Sequence, residues 1–189
     1  MRVGLYFGSF NPVHCGHLII ANHILNESDL EKIWFIVSPQ NPFKTGTSLL
    51  NEYTRLHLLK IATEDDPRIK ISDIEFTLPR PSYTSTTLSH LEEKYPGHLF
   101  SIIMGSDSFQ NLHKWNNHEF IVNNYPIYVY RRVGFEIDNH VKAQLKTVDA
   151  PLLQISATQI RQFIKTGKSI RYMVPEKVRE EIEKYNYYK

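Results

Sequence analysis

The sequence has 189 residues, of which 41% are hydrophobic and 22% are charged. This composition is that of a globular chain with a buried core and excludes a disordered one. The 22 basic and 20 acidic residues give a formal charge of +2 and are scattered, so we expect no nucleic acid and no membrane as a partner. The single cysteine, Cys15, excludes an internal disulfide.

Apolar runs are far shorter than the roughly 20 residues of a membrane helix, and the first ten residues lack a signal-peptide layout. We therefore expect a cytoplasmic protein. The length favours a single domain over 1–189, with 156–189 as its C-terminal helical part. The sequence allows a homo-oligomer but does not determine its size.

Short apolar runs alternate with helix-like stretches along the chain. The predicted strands are 3–7, 33–37, 69–74, 99–104, 127–130 and 152–155. The predicted helices are 17–26, 51–64, 84–95, 118–123, 156–165 and 175–185. Because the apolar strands lack clean alternation and are followed by amphipathic segments, we predict an α/β fold with a mostly parallel sheet covered on both faces. The aromatic tail Tyr185, Tyr187 and Tyr188 is expected to dock on the last strand.

In such sheets ligands bind beyond the carboxyl ends of the strands, so the loops after the first, fourth and last strands are candidate sites. The first loop runs from Gly8 to His17. Gly8 and Gly16 would let the backbone approach a ligand, and His14 and His17 are one helical step apart. The pair suits phosphate at a helix start. Structural histidines and a metal pair remain alternatives, although no third ligand follows at zinc spacing.

The segment that precedes the last two predicted helices also carries residues suited to phosphate binding. Ser156 followed by Gln159 is a capping-box pattern. Thr158 and Arg161 add a hydroxyl and a guanidinium beside the same helix start, which is typical of a site for several phosphate oxygens. Capping and phosphate binding are compatible.

These two segments, His14-Cys15-Gly16-His17 and Ile155-Ser156-Ala157-Thr158-Gln159-Ile160-Arg161, resemble the signatures of the His-x-Gly-His nucleotidyltransferase superfamily. The resemblance implies a Rossmann-like, doubly wound fold. It also implies that both segments wrap the triphosphate of a nucleotide and that Mg²⁺ assists, held mainly through phosphates.

The chain is also similar over essentially its whole length to bacterial nicotinate mononucleotide adenylyltransferases. Three further stretches carry this closer match: 41–44, 82–84, and 105–107 followed by Trp115. The resemblance implies that ATP and nicotinate mononucleotide are the substrates and that Trp115 stacks on the pyridine ring. It implies that Tyr83 and Thr84 hold the nicotinate carboxylate, while Gly105 and Asp107 contact the adenosine ribose. A core role for Trp115 and a helix-capping role for Asp107 remain alternatives.

We assign His17 to the α-phosphate in the transition state and His14 to the outer phosphates. The other residues expected to bind ATP and its phosphates are Gly8, Ser9, Phe10, Lys44, Gly105, Asp107, Ser156, Thr158 and Arg161. Many relatives have histidine in place of Phe43, so Lys44 is expected to act alone there. Two rival functions are an adenylyltransferase for another phosphomonoester such as phosphopantetheine, and a non-catalytic nucleotide-binding module.

Overall fold

A computed structural model describes residues 1–40 and 49–189. The predicted phosphate contact of Lys44 and the departure at Phe43 lie outside the described residues.

The described strands form one six-stranded sheet in the order β3-β2-β1-β4-β5-β6. Every neighbouring pair is parallel, and this order is that of the doubly wound Rossmann sheet. The strands are β1 Arg2–Gly8, β2 Lys32–Val37, β3 Ile69–Ser72, β4 Leu99–Gly105, β5 Ile127–Tyr130 and β6 Leu145–Val148. The predicted fold class is confirmed.

Helices cover both faces of the sheet. They are α1 Cys15–Glu27, α2 Glu52–Thr63, α3 Thr84–Lys94, α4 Ser106–Gln110, α5 His118–Asn124, α6 Ala157–Lys165 and α7 Glu176–Lys184, with 3₁₀ turns at Ile74–Thr77 and Leu112–Lys114. The core on one face includes buried residues of α1, α2, α6 and α7. The core on the other face includes buried residues of α3, α4 and α5.

Successive strand residues divide between these two cores because side chains alternate across a sheet. On β2, Ile33 and Phe35 point into the first core, while Trp34 and Ile36 point into the second. All four are at most 2% exposed. A strand buried on both faces reads as a continuous apolar run, which explains why this strand could be predicted from the sequence.

Two of the predicted strands are wrong in position or extent. The stretch 152–155 has no regular secondary structure, and the last strand is Leu145–Val148 instead. This edge strand pairs only with β5 and exposes Lys146 and Thr147, so it lacks the apolar run by which strands were recognised. The predicted strand 69–74 ends at Ser72, before the 3₁₀ turn.

The sheet order places the candidate loops side by side. β1 and β4 are neighbours, and the helices that follow them pack against opposite faces, α1 on the first core and α4 on the second. Such a switch point opens a crevice at the carboxyl ends of the two strands. Gly8 ends β1 and Gly105 ends β4, so both predicted loops border this crevice.

The aromatic tail packs into the core through Tyr188. Tyr188 is 8% exposed and joins the core on the α1 side of the sheet. Its hydroxyl donates a hydrogen bond to Oδ1 of Asn11, in the loop after β1, at 2.8 Å.

No helix in the described ranges is long and apolar enough to cross a membrane.

Candidate active site

A cavity of about 1060 Å³ opens at the switch point. It is larger than most small-molecule sites, which span roughly 300 to 1,000 Å³, and has room for two ligands side by side. Every described residue to which the sequence analysis assigned a substrate contact, apart from the loop glycine Gly16, lines it: Gly8, Ser9, Phe10, His14, His17, Tyr83, Thr84, Gly105, Asp107, Trp115, Ser156, Thr158 and Arg161.

The two histidines form a stacked pair at the start of α1. Their ring centroids are 3.6 Å apart and their planes differ by 24°. The backbone N–H of His14 donates a hydrogen bond to Nδ1 of His17 at 3.3 Å. Because Nδ1 accepts, the proton of a neutral His17 ring resides on Nε2. Nε2–H is then the donor that His17 can offer to an anion.

His14 is held in its neutral form. Its side chain is 5% exposed, and burial together with the charge of Arg132 lowers its pKa from 6.5 to about 4. A buried imidazolium would lack hydration and face a like charge, so the neutral ring is favoured. At neutral pH, His14 therefore offers a ring N–H to a ligand rather than a full positive charge.

The glycines of this loop make room for side chains of the chain itself. A Cβ at Gly16 would lie 3.0 Å from Nδ1 of His14, and a Cβ at Gly8 would lie 2.8 Å from the ring of Phe10. The sequence interpretation had the glycines admitting a ligand to the backbone. Gly8 lines the cavity, whereas Gly16 is not among the described lining residues. Both glycines leave space that the neighbouring ring occupies.

The ring of Phe10 lies between His17 and the core residue Phe35. Its ring is 3% exposed and packs against Phe35 at 5.2 Å and His17 at 5.1 Å between centroids. Its backbone adopts a positive φ of 46°, an uncommon conformation for a bulky residue. With the side chain used as core, contact between Phe10 and a nucleotide is left to its backbone.

The second signature segment reaches the first directly. Nη1 of Arg161 donates to the carbonyl of Asn11 at 2.7 Å, and Nη2 donates to Oγ1 of Thr158 at 3.2 Å. Ser156 caps α6 by accepting the N–H of Gln159 at 3.2 Å, so its predicted capping role is confirmed. Segments at opposite ends of the chain thus form one wall of the cavity.

Gly105, Asp107 and Arg132 are crowded together at the end of β4. A Cβ at Gly105 would lie 2.4 Å from Oδ1 of Asp107 and 3.1 Å from Cγ of Arg132, so a larger residue would require both side chains to shift. Oδ1 of Asp107 is 3.6 Å from Nε of Arg132. The capping alternative for Asp107 is wrong because the N-cap of α4 is Gly105. The sequence prediction missed Arg132, which also lines the cavity.

The residues predicted to bind the acceptor lie on the α3 side of the cavity. Thr84 is the first residue of α3 and Tyr83 is its N-cap, so unpaired helix N–H groups lie at this point. Trp115 is partly buried and packs against the second core while lining the cavity. Its predicted core role and its predicted site role are therefore compatible.

Glu75 underlies this acceptor segment and was missed from the sequence. It is 2% exposed. Oε2 accepts the hydroxyl of Ser82 at 2.7 Å and Oε1 accepts that of Thr87 at 2.9 Å. Burial raises the pKa of this carboxyl group, and hydrogen bonds to it oppose the rise. Glu75 thereby fixes the residues on either side of Tyr83 and Thr84.

Arg55 on α2 ties together the loops that lead into the site. Its side chain is fully buried. The guanidinium donates to the carbonyls of Ser9 at 2.6 Å, Ser38 at 2.8 Å, Pro39 at 3.0 Å and Leu50 at 2.8 Å. All four acceptors are backbone carbonyls, so the positive charge is solvated by the chain. Nothing in the helix pattern of α2 distinguishes this arginine from an exposed one.

A doubly wound sheet with paired histidines and an arginine-bearing helix start at its switch point has the architecture of a nucleotidyltransferase. The cytidylyltransferase-like family model matches residues 5–163. A probable nicotinate-nucleotide adenylyltransferase of Flavobacterium johnsoniae is 52% identical over 100% of both chains. That of Cytophaga hutchinsonii is 47% identical over 100% of this chain and 98% of its own. The chain belongs to the cytidylyltransferase-like family and, within it, to the nicotinate-nucleotide adenylyltransferases.

Solved structures share the fold at lower identity. The nicotinic acid mononucleotide adenylyltransferase of Plasmodium falciparum complexed with NaAD has a TM-score of 0.83 at 22% identity, covering 99% of this chain and 97% of that one. A putative nicotinate-nucleotide adenylyltransferase from Vibrio parahaemolyticus has a TM-score of 0.73 at 18% identity, covering 99% of this chain and 94% of that one. At these identities the match shows the fold alone.

We expect the His14 imidazole of the free protein to titrate near pH 4, because its pKa is lowered to about 4 by burial and Arg132. The folded state then binds fewer protons than the unfolded state between pH 6.5 and about pH 4. Stability should fall as the pH drops through that window, by up to about 3 kcal/mol from this residue. NMR titration of labelled histidines, assigned with His14→Gln, gives the pKa directly.

Denaturant unfolding of the same two proteins at pH 7 and pH 4.5 provides the second measurement. His14→Gln should lose less stability between these two pH values than the wild type. A His14 resonance that titrates near 6.5, with equal pH dependence of stability in both proteins, would contradict the buried neutral imidazole.

Proposed function

We propose that this chain transfers the adenylyl group of ATP to the phosphate of nicotinate mononucleotide, giving nicotinate adenine dinucleotide and pyrophosphate. The observation that carries the proposal is that the residues predicted to bind the phosphates and those predicted to bind the acceptor line one cavity. Membership of the nicotinate-nucleotide adenylyltransferases supports the same reaction.

The chemistry requires positioning rather than a general base. The second pKa of a phosphate monoester is about 6, so the acceptor phosphate is largely dianionic at pH 7 and already nucleophilic. One of its oxygens forms a bond to the α-phosphorus of ATP as the bond from that phosphorus to the bridging oxygen breaks. Pyrophosphate leaves with the electron pair. The protein must align the two phosphates and offset their charge.

In this proposal the histidine pair and the residues at the start of α6 bind different phosphates of the triphosphate. His17 donates Nε2–H to the α-phosphate, where charge redistributes in the transition state. His14, stacked on His17 at 3.6 Å, donates to the outer phosphates, as do Ser156 and Thr158. Arg161 supplies a positive charge on the same side, held by the Asn11 carbonyl. We propose the same outer-phosphate role for Lys44.

We propose that Mg²⁺ enters this site bound to the nucleotide and not to side chains of the protein. Among residues 1–40 and 49–189, no cluster of three histidine, cysteine or acidic side chains could hold a metal ion. The cavity carboxylates Asp107 and Glu75 are engaged by Arg132 and by two hydroxyls. We propose that phosphate oxygens and water hold Mg²⁺, where it would offset phosphate charge.

The acceptor ring is assigned to the α3 side of the cavity. Trp115 offers a wide π-face for the pyridine. The N–H groups at the start of α3, beside Tyr83 and Thr84, can meet a ring carboxylate, because a helix start favours anions. Gly105 and Asp107, at the switch point between the two regions, are assigned to the adenosine ribose.

Pyrophosphate release from ATP with a panel of acceptors tests the proposed reaction. Nicotinate mononucleotide should give stoichiometric pyrophosphate and nicotinate adenine dinucleotide. Phosphopantetheine should be a far poorer acceptor, since it carries no flat ring for Trp115. Efficient turnover of phosphopantetheine, or no pyrophosphate with any acceptor, would overturn the assignment in favour of one of the two rival functions.

His17→Ala is expected to lower kcat by roughly 10² to 10³, the effect of removing one preorganised donor to a reacting group. The change in KM for ATP should be smaller, because the interaction strengthens in the transition state. His23→Ala, on the same helix but outside the lining of the cavity, is the matched control and should retain wild-type kinetics. Wild-type kcat in folded His17→Ala would rule out the assigned role.

Nicotinate mononucleotide should be preferred to nicotinamide mononucleotide by a factor on the order of 10 to 10³ in kcat/KM. The amide would turn its NH₂ toward a buried donor and leave a pairing unmade, at about 1 to 3 kcal/mol per group. Trp115→Ala should raise KM for both acceptors by similar factors and keep the preference. Equal use of acid and amide by the wild type, or a preference lost with the tryptophan, would contradict this pocket.

A further inference from the structure

The hydroxyl of Tyr188 reaches the loop that carries the paired histidines. The residue follows α7 and adopts a positive φ of 67°. Its ring is buried in the core on the α1 side, and its hydroxyl donates to Oδ1 of Asn11 at 2.8 Å. Burial raises the pKa of this hydroxyl, although the nearby charges of Arg161 and Arg55 oppose the rise. The hydroxyl therefore remains a protonated donor at physiological pH.

Asn11 is the junction where four parts of the chain meet. Its Oδ1 also accepts the backbone N–H of Leu50 at 3.2 Å. Its backbone carbonyl accepts Nη1 of Arg161 at 2.7 Å. Two donors thus fix the Asn11 side chain, using both lone pairs of its carbonyl oxygen. The backbone of the same residue fixes a guanidinium that lines the cavity.

We propose that Tyr188 is a positioning residue for the triphosphate site. By holding the Asn11 side chain, it fixes the Asn11 carbonyl that aims Arg161 into the cavity. The expected effect of Tyr188 on catalysis rests on the proposed function. The contact itself is independent of which acceptor the protein uses.

The neighbouring tail residue Tyr185 does not share this role, and two other roles for Tyr188 have different consequences. The exposed tyrosine Tyr185 is 51% exposed and stacks on Tyr187 with centroids 5.6 Å apart, which stabilises the tail without reaching the site. A purely structural role for Tyr188 would lower the melting temperature alone. A ligand contact by Tyr188 is not supported, since the residue is absent from the lining of the cavity among the described residues.

Tyr188→Phe removes only the hydroxyl and keeps the ring in the core, and Tyr185→Phe removes an exposed hydroxyl as the matched control. Binding of a non-hydrolysable ATP analogue, measured by calorimetry at a temperature where both variants are fully folded, should weaken about 5- to 10-fold in Tyr188→Phe. This is the scale of one hydrogen bond. Tyr185→Phe should bind like the wild type. KM for nicotinate mononucleotide should stay within about twofold in both, because the acceptor residues lie elsewhere.

A double-mutant cycle with Arg161→Lys separates positioning from general stability. Lysine cannot reproduce the paired donors of the guanidinium, so the hydroxyl should matter less once Arg161 is replaced. The combined loss of analogue affinity should be smaller than the product of the single losses. Unchanged affinity in Tyr188→Phe, or losses that multiply in full, would overturn the proposal. If the proposed function is wrong, the wild type will form no dinucleotide product. Binding of the ATP analogue would still test the role of Tyr188 in that case.

Discussion

The buried guanidinium of Arg55 is the constraint on which the phosphate end of the site depends. It cross-links the loop after β1 to the segments around β2 and the start of α2 through backbone carbonyls. The hydrogen bond to the carbonyl of Pro39 is buried, and the other three are partly buried. The guanidinium thereby holds the backbone of this loop at Ser9, one residue before Phe10. The ring of Phe10 packs in turn against His17, with the centroids 5.1 Å apart.

Preorganisation matters here because the reaction offers the protein no covalent chemistry to perform. The nucleophile and the leaving group are both phosphates, so the rate depends on alignment and on donors fixed before the reaction. The neutral imidazole of His14 and the buried carboxylate of Glu75 fit this division. Burial keeps the His14 ring neutral, and Glu75 accepts the hydroxyls of Ser82 and Thr87 beside the start of α3.

The sequence predicted the features that depend on local pattern. Strands buried on both faces are apolar runs, and the two signature segments carry their chemistry within a few residues, so His17 and Arg161 could be assigned. Features that depend on the tertiary fold could not be predicted. Strand β6 is a polar edge strand. Arg55 donates to four backbone carbonyls, three of which belong to residues at least 16 positions away in the sequence, and Arg132 faces Asp107 only through the sheet order.

In the proposed reaction the two substrates react directly in one cavity, with no covalent intermediate on the protein. The stereochemical course at phosphorus tests it most directly. ATP bearing sulfur at the α-phosphorus in one configuration would be converted with nicotinate mononucleotide, and the configuration of the thio-dinucleotide product would be determined. A single in-line displacement predicts inversion. Retention would show two successive displacements through an adenylylated residue and would contradict the account.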